Sequence, residues 1–191
     1  MMRPVPLVAS VALLATLFGG CSGPAEPSAE PSPTSPFAAC PATVDTVGTP
    51  PQGDPLPPLT LPCFTGGAPV ALARLGKPAV INLWASYCEP CRKELPALQA
   101  FADEVGDRVQ VLGVVTYDTW TRAAYAGKDF GARYPSVFDP DRQLLRALGR
   151  TALPVTLFVA ADGSIRAVDM SGALTLDKVR ALARDQLGVN P

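Results

Sequence analysis

Cys88 and Cys91 stand two residues apart, with Glu89 and Pro90 between them, directly after the apolar run Pro78-Ala79-Val80-Ile81-Asn82-Leu83. Two thiols at that spacing can close a disulfide and reopen it, which is the chemistry of thiol–disulfide exchange. The apolar run reads as a buried strand, and Arg92 to Val105 carries helical periodicity. The pair therefore belongs at a strand-to-helix junction, with Cys88 near the helix N-terminus. Unpaired backbone N–H groups there carry partial positive charge and favour a thiolate over a thiol. A nucleophilic, redox-active cysteine has that physical requirement.

The elements that must hold this pair can be read in order. Leu59-Thr60-Leu61 and Val70-Ala71-Leu72 flank Gly66-Gly67 as a short hairpin. Val80 to Trp84 reads as a central strand. In the next helix Leu95, Leu98, Ala102 and Val105 form a core-facing stripe, and Pro96 is expected to kink it. Val109 to Thr116 is nearly all apolar, as in a strand covered on both faces. Trp120 to Phe130 reads as a short helix and Ser136 to Phe138 as a brief strand. Asp139-Pro140-Asp141 turns the chain, and Asp141 is expected to cap a helix carrying Leu144, Leu145 and Leu148. Val155 to Ala160 and Ile165 to Val168 form an antiparallel pair around a tight turn. Leu176 to Leu187 is the last helix, ended by Gly188. This order indicates an α/β sandwich around a mixed sheet.

The start of the chain reads differently. Met1-Met2-Arg3 brings one positive charge, and Val5 to Phe18 is apolar apart from Pro6, Ser10 and Thr16. That is the layout of a secretory signal peptide over residues 1–20, shorter than the roughly 20 apolar residues of a spanning helix. Leu17-Phe18-Gly19-Gly20-Cys21 resembles a bacterial lipobox, although Phe18 stands where Leu is usual. The resemblance implies lipidation at Cys21, with simple secretion as the alternative. Residues 21–54 read as a Pro/Ser-rich tether that includes Cys40, too poor in apolar residues to fold alone. Residues 55–191 are left as one domain.

Composition narrows the chemistry. The chain has no histidine and a net charge of −1, which removes His-dependent triads, His-ligated metals and haem attachment, and leaves nothing that recognises nucleic acid. No cofactor and no metal site is expected. Of the five cysteines, four remain if Cys21 carries lipid, and four allow three pairings. The expected set is Cys88 with Cys91 and a structural Cys40–Cys63 bridge. The alternative, in which Cys40 or Cys63 joins the redox chemistry, stays open.

From about Pro55 to Leu187 the chain resembles the thioredoxin superfamily, in its membrane-tethered TlpA/ResA-like branch of extracytoplasmic thiol–disulfide oxidoreductases. The stretch Trp84-Ala85-Ser86-Tyr87-Cys88-Glu89-Pro90-Cys91 matches the active-site signature, with Tyr87 in place of the more frequent Trp. Pro96 matches the helix-kinking proline. Leu153-Pro154 matches the cis-proline loop, and Gly172 falls where the family has a glycine near the site. Thr116 to Phe138 matches the insertion of this branch. Asn82 replaces the buried aspartate of thioredoxin, and Glu94 matches an acidic residue that ResA-like proteins keep beside their cysteines.

The resemblance implies a thioredoxin-like sandwich, with a central mixed sheet flanked by helices, an N-terminal hairpin and a TlpA-type insertion. It implies Cys88 as nucleophile, Cys91 as resolving cysteine and Glu94 as a proton relay. Trp84, Tyr87, Glu89, Pro90, Leu153, Pro154 and Gly172 would shape the site. Glu89 beside Cys88 disfavours a thiolate, which favours a reductant, whereas the helix N-terminus, Arg92 and Lys93 push the other way. Implied partners are disulfides of exported proteins, apocytochromes c among them. A membrane thiol carrier of the CcdA/DsbD type would donate electrons. The implied location is the outer face of the bacterial cytoplasmic membrane, through the lipid anchor. The competing readings are a disulfide oxidase or isomerase, a metal-binding module, a peroxidase, and a binding lipoprotein without catalysis.

Overall fold

The computed structural model describes residues 34–44, 50–172 and 174–190. The expected signal peptide and Cys21 lie outside them. No helix of the described residues is long and apolar enough to cross a membrane.

A short antiparallel hairpin, β1 (Thr60–Leu61) and β2 (Val70–Ala71), precedes a five-stranded sheet. The sheet holds β3 (Ala79–Trp84), β4 (Gln110–Thr116), β5 (Ser136–Asp139), β6 (Val155–Val159) and β7 (Ile165–Asp169), in the order β5-β4-β3-β6-β7. Strands β3, β4 and β5 run parallel, while β6 is antiparallel to β3 and β7 to β6. The parallel trio needs crossovers, and α1 (Glu89–Val105) and α2 (Trp120–Asp129) supply them. The tight turn at Gly163 makes β6 and β7 antiparallel instead. All six residues of β3 are buried, as a strand covered on both faces must be.

Alternation along β3 sends Val80, Asn82 and Trp84 to one face and Ala79, Ile81 and Leu83 to the other. On the first face Val80 and Trp84 join Leu95, Leu98 and Phe101 of α1, with Val179 and Ala183 of α4 (Leu176–Leu187). On the second, Ile81 and Leu83 pack with Leu61 and Val70 of the hairpin and with Leu144 and Leu145 of α3 (Gln143–Ala147). Helix α1 runs on through Pro96, which removes one ladder donor without ending the helix. Gly188 closes α4 in the left-handed conformation, with φ 67°.

Two expectations need correction. Asp141 does not cap α3. The carboxylate of Asp139, fully buried at the end of β5, accepts the N–H groups of Gln143 and Leu144 at 2.9 and 3.0 Å. Arg142 takes a left-handed turn, φ 57°, and this aims the helix start back at Asp139.

The second correction concerns the tether, whose last part packs on the domain. Phe37 is 5% exposed, its ring edge-on to Phe64 at 4.9 Å and to Trp84 at 6.1 Å. Burial of that one ring is worth about 2 kcal/mol, which the low apolar content of the segment as a whole concealed. Gly127 of α2 makes the room: a Cβ there would lie 2.6 Å from the Phe37 ring. The Cys40–Cys63 disulfide anchors the same segment, and Ala38 N–H bonds the Arg133 carbonyl at 2.7 Å.

Candidate active site

Cys88 and Cys91 form a disulfide, with Cα atoms 5.3 Å apart. Cys88 is the N-cap of α1, in extended conformation, and its Sγ accepts the Cys91 N–H at 3.3 Å. Pro90 stands in the first turn, where its missing N–H leaves no bond unmade. The two sulfurs differ in access: Cys88 is half-buried, while Cys91 is fully buried beneath the helix start. Only Cys88 is placed to meet a macromolecular substrate.

The loop before Cys88 is fastened on two sides. Asp118 Oδ2 accepts the Ser86 N–H at 2.5 Å, and Arg92 Nη1 donates to the Ser86 carbonyl at 3.0 Å. Tyr87 projects outward, 56% exposed, and Trp84 lies fully buried below. Partial desolvation holds the Tyr87 phenol above its ordinary pKa, helped by the Asp118 charge.

The peptide bond Leu153–Pro154 is cis. Gly172, at φ 68°, sits against both prolines: a Cβ would lie 3.2 Å from Pro90 Cβ and 3.9 Å from Pro154 Cδ. Only a glycine lets that loop approach the pair so closely. Leu153 lines a cleft with Cys88. The described geometry therefore gathers Cys88, Cys91, Pro90, Leu153, Pro154 and Gly172. Cys40 and Cys63 pair with each other and line neither this cleft nor its neighbour.

Two polar side chains the resemblance singled out, Glu94 and Asn82, are buried. Glu94 is 2% exposed, so it is no surface residue, and its Oε1 accepts the Leu174 N–H at 2.9 Å. Burial raises its carboxyl above the ordinary range, against the pull of that hydrogen bond. Asn82 Nδ2 donates to Thr156 Oγ1 at 2.9 Å. Glu94 Oε2 and Asn82 Oδ1 have no hydrogen-bond partner among the described residues.

Glu89 bears less on Cys88 than its sequence position implied. It is exposed and paired with Lys93 one turn on, Oε1 to Nζ 2.8 Å. The Lys93 hydrogen bond holds the Glu89 carboxyl below its ordinary pKa. A solvated carboxylate with its own ammonium partner exerts little net field on the neighbouring sulfur.

Sequence reasoning missed Tyr117, Arg142 and Thr151, which line the Cys88 cleft, and the anchoring role of Asp118. A signal was available. In open α/β sheets, ligands meet the carboxyl ends of parallel strands, and Tyr117 and Arg142 follow β4 and β5.

Comparison with known proteins agrees with this geometry. A family model described as "AhpC/TSA family" matches residues 52–168. The chain is similar to the thiol-disulfide oxidoreductase ResA of Bacillus subtilis, 30% identical over 113 residues, which covers 58% of this chain and 63% of that protein. It is 34% identical over 116 residues to the thiol:disulfide interchange protein DsbE of Pseudomonas fluorescens, covering 60% of this chain and 64% of that protein. It thus spans just under two thirds of the length of both relatives. A secreted thiol-disulfide isomerase from Corynebacterium glutamicum superposes with a TM-score of 0.62 at 24% identity, over 70% of this chain and 86% of that one. The fold is thioredoxin-like.

Proposed function

The chain belongs to the AhpC/TSA family, and we propose that it is an exported thiol–disulfide oxidoreductase that reduces disulfides in other exported proteins. The observation that carries this reading is the asymmetric pair: an accessible Cys88 sulfur at a helix N-cap, bonded to a buried Cys91, beside cis-Pro154. The names of the relatives, ResA and DsbE, support it.

The reaction begins with both cysteines reduced. The Cys88 thiolate attacks one sulfur of the client disulfide, that S–S bond breaks, and the departing client thiolate takes a proton. Cys91 gives its proton to Glu94, one helical turn on, and its sulfur attacks Cys88. The mixed disulfide breaks, the second client sulfur leaves as a thiolate and takes up the proton held by Glu94, and two electrons have passed to the client. Cys88–Cys91 is then the disulfide described above. The backbone at Leu153 offers an edge on which an extended client segment can pair.

Return to the dithiol needs electrons from a membrane thiol carrier of the CcdA/DsbD type. Apocytochromes c, whose cysteines must be reduced before haem attachment, are the client class we favour. Export through the signal peptide, and a lipid on Cys21 after its removal, would place the domain at the outer face of the cytoplasmic membrane.

The reductive direction rests on Glu94. Glu94 is buried one turn after Cys91 in the same helix, and a carboxylate there would oppose a second negative charge at the pair and weaken the thiolate that an oxidant must stabilise. One group of observations favours the opposite reading, an oxidase or isomerase. The Cys91 N–H points at Cys88 Sγ, Lys93 occupies Glu89, and Arg142 lines the Cys88 cleft.

The test is insulin reduction with dithiothreitol as donor, together with trapping in cells. Cys88→Ser is expected to abolish turnover, and Cys91→Ser to accumulate client proteins disulfide-linked through Cys88. Turnover that survives Cys88→Ser contradicts the reading.

A further inference from the structure

The three parallel strands end side by side, and the residues after them face one opening. Cys88 follows β3, Tyr117 follows β4 and Arg142 follows β5. With Tyr87 and Leu153 they line a cleft of about 200 Å³ beside the reactive sulfur. Two of these residues hold left-handed backbone without being glycine, Tyr117 at φ 52° and Arg142 at φ 57°. Such conformations cost about 1 kcal/mol or more each and cluster where a site imposes them. Here they bring two side chains from separate loops together: the Arg142 guanidinium carbon lies 3.8 Å from the centre of the Tyr117 ring.

The pair presents charge and ring to solvent. Tyr117 is 53% exposed and Tyr87 56%. Among the described residues neither Arg142 nor Arg122, in the adjoining cleft, has a carboxylate within ion-pair distance. Asp118, the one carboxylate lining these two clefts, is held by the Ser86 and Thr119 N–H groups. Two unpaired guanidinium groups against one engaged carboxylate leave the rim beside Cys88 positive.

We propose that the Tyr117–Arg142 pair is a specificity element, receiving an Asp or Glu side chain that flanks the client cysteine attacked by Cys88. The inference rests on thiol–disulfide exchange at that site. A client strand lying along Leu153 would bring the residue next to its cysteine over the cleft, where a carboxylate meets the guanidinium and the side-chain stem lies on the tyrosine rings.

The test uses synthetic peptides with one internal disulfide and Glu, Ala or Lys next to the first cysteine, reduced by the full chain in its dithiol form. Glu is expected to exceed Lys in the single-turnover second-order rate constant by roughly five-fold at low ionic strength, with the gap shrinking in salt. Arg142→Asn, which tolerates left-handed backbone, is expected to bring the ratio near one. Arg142→Lys keeps the charge and should keep a ratio above one. Equal rates for all peptides in the wild type, or a preference that survives Arg142→Asn, overturn the inference. Bis(2-hydroxyethyl) disulfide, which has no charge, separates the two layers. A wild type that reduces it yet treats the peptides alike loses only the specificity claim. One that reduces neither loses the exchange reading and the specificity claim with it.

Discussion

Cys88 and Cys91 have the same side chain and opposite situations. One caps a helix and is half-buried; the other is closed off by the turn above it. Their spacing, and the strand before them, made this site legible in the sequence. The states of the two nearby carboxylates were not legible. Glu89 and Glu94 both sit in the first turns of one helix, yet Glu94 is buried and accepts the Leu174 N–H while Glu89 meets Lys93 in solvent. Burial raises the Glu94 pKa, so the folded protein binds that proton more tightly than the unfolded chain. Stability carries no cost below the ordinary glutamate pKa, falls as pH rises from there to the folded value, and stays lowered above it. Glu94→Gln keeps an acceptor for the Leu174 N–H and cannot ionise. It is expected to melt higher than the wild type at pH 7 and level with it at pH 4, with slower resolution of mixed disulfides. An equal difference in Tm at both pH values would rule out the ionisation account.

At the scale of elements, long runs were easier to read than turns. β3, β4 and β6 are largely apolar stretches, and α1 and α4 carry clear stripes, so existence and order followed from pattern. The start of α3 did not. Asp139 and Asp141 are equivalent in sequence, and the left-handed turn at Arg142 decides which one meets the helix. That same turn sets Arg142 on Tyr117, so a local detail missed in sequence proved to be part of the site. Asp139→Ala should lower stability by about 1–2 kcal/mol, since a buried cap is lost. Asp141→Ala, at an exposed position, should stay within about 0.5 kcal/mol. Chemical denaturation of the two variants checks this, and the reverse ranking would refute the assignment of the cap.

Across the whole molecule, the segment from Phe37 to Cys40, bridged to Cys63, joins the expected tether to the domain. Its Pro/Ser composition pointed to an unpacked chain, because composition averages over a segment while one ring can fill a gap opposite Gly127. The Cys40–Cys63 bridge spans 23 positions, and its loss in the Cys40→Ser/Cys63→Ser variant should cost about 3 kcal/mol with the redox pair still active. Loss of insulin reduction by a folded variant would mean that these cysteines share in the chemistry. The central claim concerns the direction of electron flow, and the reduction potential of Cys88/Cys91 against a glutathione buffer tests it most directly. A reductant of exported disulfides requires a potential at or below about −220 mV; a value near −120 mV, that of a strong oxidant, would contradict it.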